Sequence, residues 1–89
     1  MSSSTELHAA IKQMIVERLF LDRKGLAPED LTDDADLMDA YDIDSVELFE
    51  IVVGLEEEYG VALPEDEFSI EKFRSVDRIV GLVEQAQAQ

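Results

Sequence analysis

The sequence predicts an all-α fold: a small four-helix bundle of three main helices, a short third helix before the last, and a long first loop. Three observations predict it. Apolar residues recur at helical spacing in three separate stretches, capping residues stand where those stretches begin, and glycine closes the first two. At 89 residues with 46% hydrophobic side chains, the chain is one domain near the lower size limit for folding without a metal or disulfide staple. Residues 1–89 are read as a single unit, ordered over about 4–85, with frayed ends.

The first helix is predicted over Ser4–Leu21, where Leu7, Ala10, Ile11, Met14, Ile15 and Leu19 share one face, and Ser3 with Glu6 fits a capping box. Gly25 and Pro28 end it. Residues 22–43 read as a long connection pinned to the core by Leu26, Leu31, Leu37 and Met38, with a short turn at Pro28–Leu31. A loop of that length in so small a domain tends to be functional. The second main helix starts at Asp44 as N-cap, Ser45 as first helical residue and Glu47 as the third, an aspartate version of the capping box. Its apolar residues Val46, Leu48, Phe49, Ile51, Val52, Val53, Leu55 and Tyr59 are too many for one stripe. Gly60 stops it. Pro64 suits the first turn of a short helix over Glu65–Ser69. Ser75 then caps a last helix with Val76, Ile79, Val80 and Val83 on one face, and the polar Gln85–Gln89 tail is expected to fray.

Charge excludes whole classes of function. Seven Lys and Arg against 22 Asp and Glu leave a net charge of −15. Nucleic acid and anionic membranes would repel such a chain. The bases lie only at the two ends, Lys12, Arg18, Arg23 and Lys24, then Lys72, Arg74 and Arg78. Between Gly25 and Glu71 there are 17 acids and no base. That is either plain solvation or a field that steers basic partners toward the middle of the chain. With no cysteine there is no disulfide, thiolate site or cysteine nucleophile. No run is long enough to cross a bilayer and the start lacks a secretory pattern, so a cytoplasmic monomer is expected.

Few residues remain to carry chemistry. His8, the single histidine, reads as an ordinary surface residue, and no catalytic residue is identified. Asp33, Asp34, Asp36, Asp39, Asp42 and Asp44 crowd one loop, but no glycine lies between Gly25 and Gly54, so the sharp turn of a calcium loop is missing and no metal ligands are assigned. Ser45 is different: it stands at a helix start, where N–H groups and the helix dipole favour a phosphate group. Asp-Ser at a helix start is also ordinary capping, so those two residues by themselves decide nothing.

The segment Asp42-Ile43-Asp44-Ser45-Val46-Glu47-Leu48, followed by Leu55-Glu56-Glu57-Glu58-Tyr59-Gly60-Val61-Ala62-Leu63-Pro64, resembles the acyl carrier protein family. The spacing from Ser45 to Pro64 fits without a gap, and the resemblance takes in the long first loop and the helix beginning at Ser75-Val76. It implies a 4'-phosphopantetheine arm on Ser45, transferred from coenzyme A by a phosphopantetheinyl transferase, with Asp44 helping to hold magnesium in that complex. The arm's thiol would carry acyl groups as thioesters, and the chain itself would be no enzyme. Partner enzymes of the acyl-activating and synthase type, in fatty acid, lipid or polyketide-type synthesis, would dock their basic patches on Glu47, Glu50, Glu56 and Glu57. Val46 and Val53, on one helix face, are candidates for the same contact, although core packing explains them equally well. Phe49, Val52, Leu55 and Tyr59 are expected in the core or lining an acyl cavity.

Departures from the family pattern are Val46 for the usual leucine, Ile43 for a small residue, bulky Leu48 and Phe49, and Gly54 inside the helix. The Glu67-Phe68…Phe73-Arg74-Ser75 stretch is similar to carriers of activated amino acids, so an aminoacyl or peptidyl carrier is the alternative cargo class. An unmodified acidic helical adaptor and a divalent-ion buffer are the readings outside the carrier class.

Overall fold

A computed structural model describes residues 3–61 and 70–87. Among these residues four α-helices, α1 (Ser3–Leu19), α2 (Leu37–Tyr41), α3 (Ser45–Tyr59) and α4 (Val76–Gln87), stand with 3-10 turns at Leu21–Lys24, Pro28–Asp30 and Ile70–Phe73. No strand is present among the described residues. The short helix expected over Glu65–Ser69, with Pro64, lies outside the described residues.

Helix α1 is central, packing against both α3 and α4. Of the predicted face, Ile11, Met14, Ile15 and Leu19 are buried and Leu7 packs against the core, whereas Ala10 is exposed; Val16 joins the buried set. Ser3 is the first described residue of the helix rather than its cap, within the ordinary fraying of helix ends. Phe20 stops α1 by turning left-handed (φ 55°), and Gly25 (φ 81°) closes the 3-10 turn that follows, its N–H donating to Asp22 O at 3.0 Å.

The first connection is tied down as predicted, with Leu31 and Leu37 buried and Leu26 and Met38 packed against the core, and Ile43 is buried as well. The Tyr41 hydroxyl accepts from Thr32 N–H at 2.9 Å and donates to Asp30 O at 3.2 Å, bracing the Pro28–Asp30 turn. What the sequence pattern did not reveal is α2. Five residues carry almost no periodic signal, and this helix depends on Asp36, whose carboxylate accepts from Met38 N–H (2.9 Å) and Asp39 N–H (3.2 Å). Arg74 then holds Asp36 through Nε at 2.8 Å, and Leu37 N–H donates to Arg74 O. The long connection is thus fastened to the segment before α4.

In α4, Val76, Ile79, Val80 and Val83 are buried as predicted, and Ser75 caps it, its Oγ accepting from Arg78 N–H at 3.2 Å. The helix continues to Gln87, so residues 85–87 of the expected frayed tail are helical. Phe73, fully buried, plugs the core beneath the Ile70–Phe73 turn. The Cα radius of gyration of 12.1 Å is what a compact chain of this length should have.

The bases at the chain ends fold back onto the acidic middle: Lys12 onto Asp33, Arg18 onto α3, Arg74 onto Asp36 and Asp39, and Arg78 onto Glu71. Part of the one-signed field read from the sequence is therefore compensated within the molecule. Among the described residues no buried side-chain polar atom lacks a hydrogen-bond partner.

Candidate functional site at the start of the third helix

Asp44 and Ser45 divide two tasks at the start of α3. The Asp44 side chain accepts from Glu47 N–H at 2.8 Å, and the Glu47 carboxylate accepts from Asp44 N–H at 3.1 Å, so the predicted capping box is complete. Ser45 is the first helical residue and is exposed. Because Asp44 does the capping, the serine hydroxyl is presented to solvent at the positive end of a helix of 15 residues. The approach to the serine is fixed on its other side. Asp42 turns left-handed (φ 57°) with its carbonyl accepting from Lys24 Nζ at 3.3 Å, and Ile43 anchors the chain in the core.

The wide apolar set of α3 splits into two faces. Leu48, Ile51, Val52 and Leu55, spaced i, i+3, i+4 and i+7, are buried against the core. Val46 is 76% exposed and Phe49 45% exposed, with Val53 half-buried in line below them. Of the two places expected for Phe49, the core or the lining of an acyl cavity, the core is corrected: it stands about 100° round the helix from Leu48, beyond the edge of the buried stripe. For Val46 the core alternative falls as well. Val52 and Leu55 are core residues, and half-buried Tyr59 packs against that core, where burial and the nearby Glu58 raise its phenol's pKa.

The acids of α3 are not equivalent. Arg18 of α1, with only 21% of its side chain exposed, reaches Glu50 at 2.9 Å through Nη1, Glu57 at 2.5 Å through Nη2 and Glu58 at 3.3 Å through Nε. Its hydrogen bonds to Glu57 and then Glu50 push its pKa above the ordinary arginine value. Glu50 and Glu57, expected as docking charges, are clamped within the chain by Arg18, while Glu47 belongs to the capping box. Glu56 is exposed. Gly54 explains how Arg18 crosses so closely. A Cβ at that position would stand 2.6 Å from Arg18 Cδ and Nε and 3.0 Å from Met14 Sδ. Sequence reasoning had no signal for this clamp, since 32 residues separate Arg18 from Glu50.

His8 is likewise not the plain surface residue expected. Its side chain is 17% exposed, and Nε2 meets Asp77 Oδ1 at 2.7 Å.

A helical domain with an acidic exterior, a long tethered connection and an exposed serine at a capped helix start has the architecture of a carrier domain. Comparison with known proteins is specific. The family described as "Phosphopantetheine attachment site" matches residues 9–83. The acyl carrier protein of Renibacterium salmoninarum is 34% identical over 88 residues, covering 99% of this chain and 100% of that protein. The acyl carrier protein of Zymomonas mobilis is 33% identical over 78 residues, covering 88% and 91%. That of Thermotoga maritima is 32% identical over 84 residues, covering 94% and 95%. The chain belongs to the acyl carrier protein family, whose domain is the attachment site of phosphopantetheine. No helix among the described residues is long and apolar enough to cross a membrane.

Proposed function

We propose that the chain is a cytoplasmic, monomeric, non-catalytic carrier that takes 4'-phosphopantetheine on Ser45 and presents acyl thioesters to partner enzymes. The observation that carries this reading is the division of labour at α3: Asp44 caps the helix, and Ser45 is exposed at its first turn. The residues fit the group. A phosphodiester on Ser45 Oγ would lie against first-turn N–H groups and the helix dipole, an interaction of about 0.3–1 kcal/mol at an exposed site. The carboxylates of Asp44 and Glu47 oppose a second negative charge there, which fits the role the family gives Asp44 in holding magnesium during transfer. When bound, the arm supplies a thiol that the cysteine-free chain lacks. Tethering raises the effective concentration of cargo at each partner without releasing it.

Val46, Phe49 and Val53 form the apolar part of the docking face in this reading, with Glu47 and Glu56 beside them and Glu50 and Glu57 held by Arg18. Phe49 thus moves from the cavity set to the docking set. Val52, Leu55 and Tyr59 remain the residues from which an acyl cavity would open, by separation of α3 from α1.

Intact mass after incubation with coenzyme A, magnesium and a broad-specificity phosphopantetheinyl transferase tests the proposal. The expected result is one phosphopantetheine on the parent and none on Ser45→Ala. A folded parent that stays unmodified with several transferases overturns it and leaves the acidic adaptor as the reading. A holo form that accepts amino acids but no acyl groups assigns the chain to the aminoacyl carriers.

A further inference from the structure

Far from Ser45, the fold gathers three metal-ligating side chains from three parts of the chain. His8 comes from the second turn of α1, Asp33 from the first connection and Asp77 from the first turn of α4. One ligand atom from each lies within 4.8 Å of the others. His8 Nε2 and Asp77 Oδ1 are already 2.7 Å apart, although 69 residues separate them. The two aspartates are locked to one another by the backbone, Asp77 N–H donating to Asp33 O at 2.9 Å. Glu6, Leu7 and Ala10, which flank His8 on α1, line one hollow with Tyr59 at the end of α3, and Ser45 heads that helix of 15 residues about 21 Å away along it.

We propose that His8, Asp33 and Asp77 form a divalent-metal site of the zinc class, a staple that joins α1, the first connection and α4. The ligand chemistry favours zinc over magnesium or calcium. An imidazole nitrogen with two carboxylates suits a borderline ion that accepts nitrogen, and three protein ligands plus water complete a tetrahedron, whereas the harder ions seek six or more oxygens. The geometry is close. Two ligand atoms bound to zinc at the tetrahedral angle stand about 3.4 Å apart, so the His8–Asp77 pair opens slightly and Asp33 closes toward it.

A cation of the chain itself already stands at this place. Lys12, one turn beyond His8, puts its ammonium 2.6 Å from Asp33 Oδ1, so a metal would have to compete with it. The chain thus supplies its own positive charge to the cluster, and a divalent ion would take over that charge and displace the lysine. Solvent reaches it through a hollow of about 480 Å³ lined by His8, Lys12, Asp33, Pro28 and Glu29. A net charge of −15 raises the local concentration of any divalent cation. The same charge causes diffuse condensation, and the test must separate the two.

The experiment is calorimetric titration of the full chain with zinc chloride at neutral pH, in a background of excess magnesium that saturates diffuse acidic sites. One zinc per chain is expected, with affinity weakened by at least about tenfold in His8→Gln and in Asp77→Asn. Lys12→Gln should bind more tightly than the parent. Glu84→Gln, which makes the same change of charge as Asp77→Asn on the exposed part of α4, should match the parent. The ring resonances of His8, the single histidine, should shift with one equivalent of zinc and no further. Binding without fixed stoichiometry, an equal loss in Glu84→Gln, or ring resonances that ignore zinc would overturn the site. The Lys12→Gln and ring-resonance measurements keep it testable even if His8→Gln folds poorly.

Discussion

Helices α3 and α4 invite comparison because each starts beside a serine and each carries a glycine near its middle. At α4 the serine is consumed by structure: Ser75 is 7% exposed and its hydroxyl accepts from Arg78 N–H. At α3 the cap is one residue earlier, at Asp44, and Ser45 is exposed. The glycines differ in the same sense. Gly81 of α4 has nothing within 4 Å of where a Cβ would stand, whereas Gly54 of α3 lies under Arg18. Two helices of similar sequence grammar thus have opposite assignments. The first turn of α4 uses its serine for capping, and that of α3 leaves its serine hydroxyl exposed.

The largest effect should come from exchanging these roles. Ser45→Ala should abolish loading with the arm while changing stability little, since Asp44 caps α3 alone; Ser75→Ala should leave loading intact and cost about 1 kcal/mol of stability. Loading by intact mass and unfolding in urea, measured on both variants, would break the comparison if Ser75→Ala lost loading or Ser45→Ala lost stability. Asp44→Ala should show both defects together, a loss of about 1 kcal/mol and slower loading.

The glycines sharpen the contrast at a smaller scale. Gly81→Ala should stabilise the protein, by up to about 1 kcal/mol from helix propensity. Gly54→Ala should destabilise it, because the new methyl displaces a guanidinium held by Glu50, Glu57 and Glu58. In an Arg18→Ala background the sign should reverse, and a double-mutant cycle of urea midpoints reads that reversal. Equal effects of the two glycine substitutions would show that Arg18 yields without cost.

The proposed docking face offers a further contrast between the two helices. Val46→Asp should slow partner reactions of the loaded carrier with little change in stability, since Val46 is 76% exposed. A comparable charge on buried Ile79 or Val80 should instead unfold the chain.

The smallest effect concerns pH. Hydrogen bonds from Arg74 hold the Asp36 carboxyl below its ordinary range, against the opposing effect of burial. Arg74 faces Asp39 and Glu71 as well. A group whose pKa is depressed by folding contributes stability above its unfolded pKa and loses it as pH falls through the folded value. The Asp36–Arg74 tie between the first connection and α4 should therefore weaken only at acid pH, below the ordinary carboxylate range. Asp36→Asn should flatten the acid limb of a stability–pH curve; a limb of parental steepness would remove Asp36 as its source.

Much of this was legible in the sequence because it is local. The Asp44–Glu47 capping box, the Gly60 stop, the Ser75 cap and the valine–isoleucine face of α4 depend on residues three or four apart, whose relative placement helical geometry dictates. The place of Ser45 at the head of α3 could be read for the same reason, and the acidic middle from composition alone. Phe49 could not, because the buried stripe of α3 is decided by where α1 lies, and its apolar set fits more than one orientation. Nor could α2, which Arg74 stabilises from 38 residues away. Sequence by itself determined which residues start, stop and line each helix, and that Ser45 would head α3. Only the tertiary structure decided which apolar residues face outward, that Arg18 would engage Glu50 and Glu57, and that His8 would meet Asp33 and Asp77. The physical reason is that hydrogen bonding and side-chain period act over a single turn, whereas ion pairs and burial depend on which helices pack together.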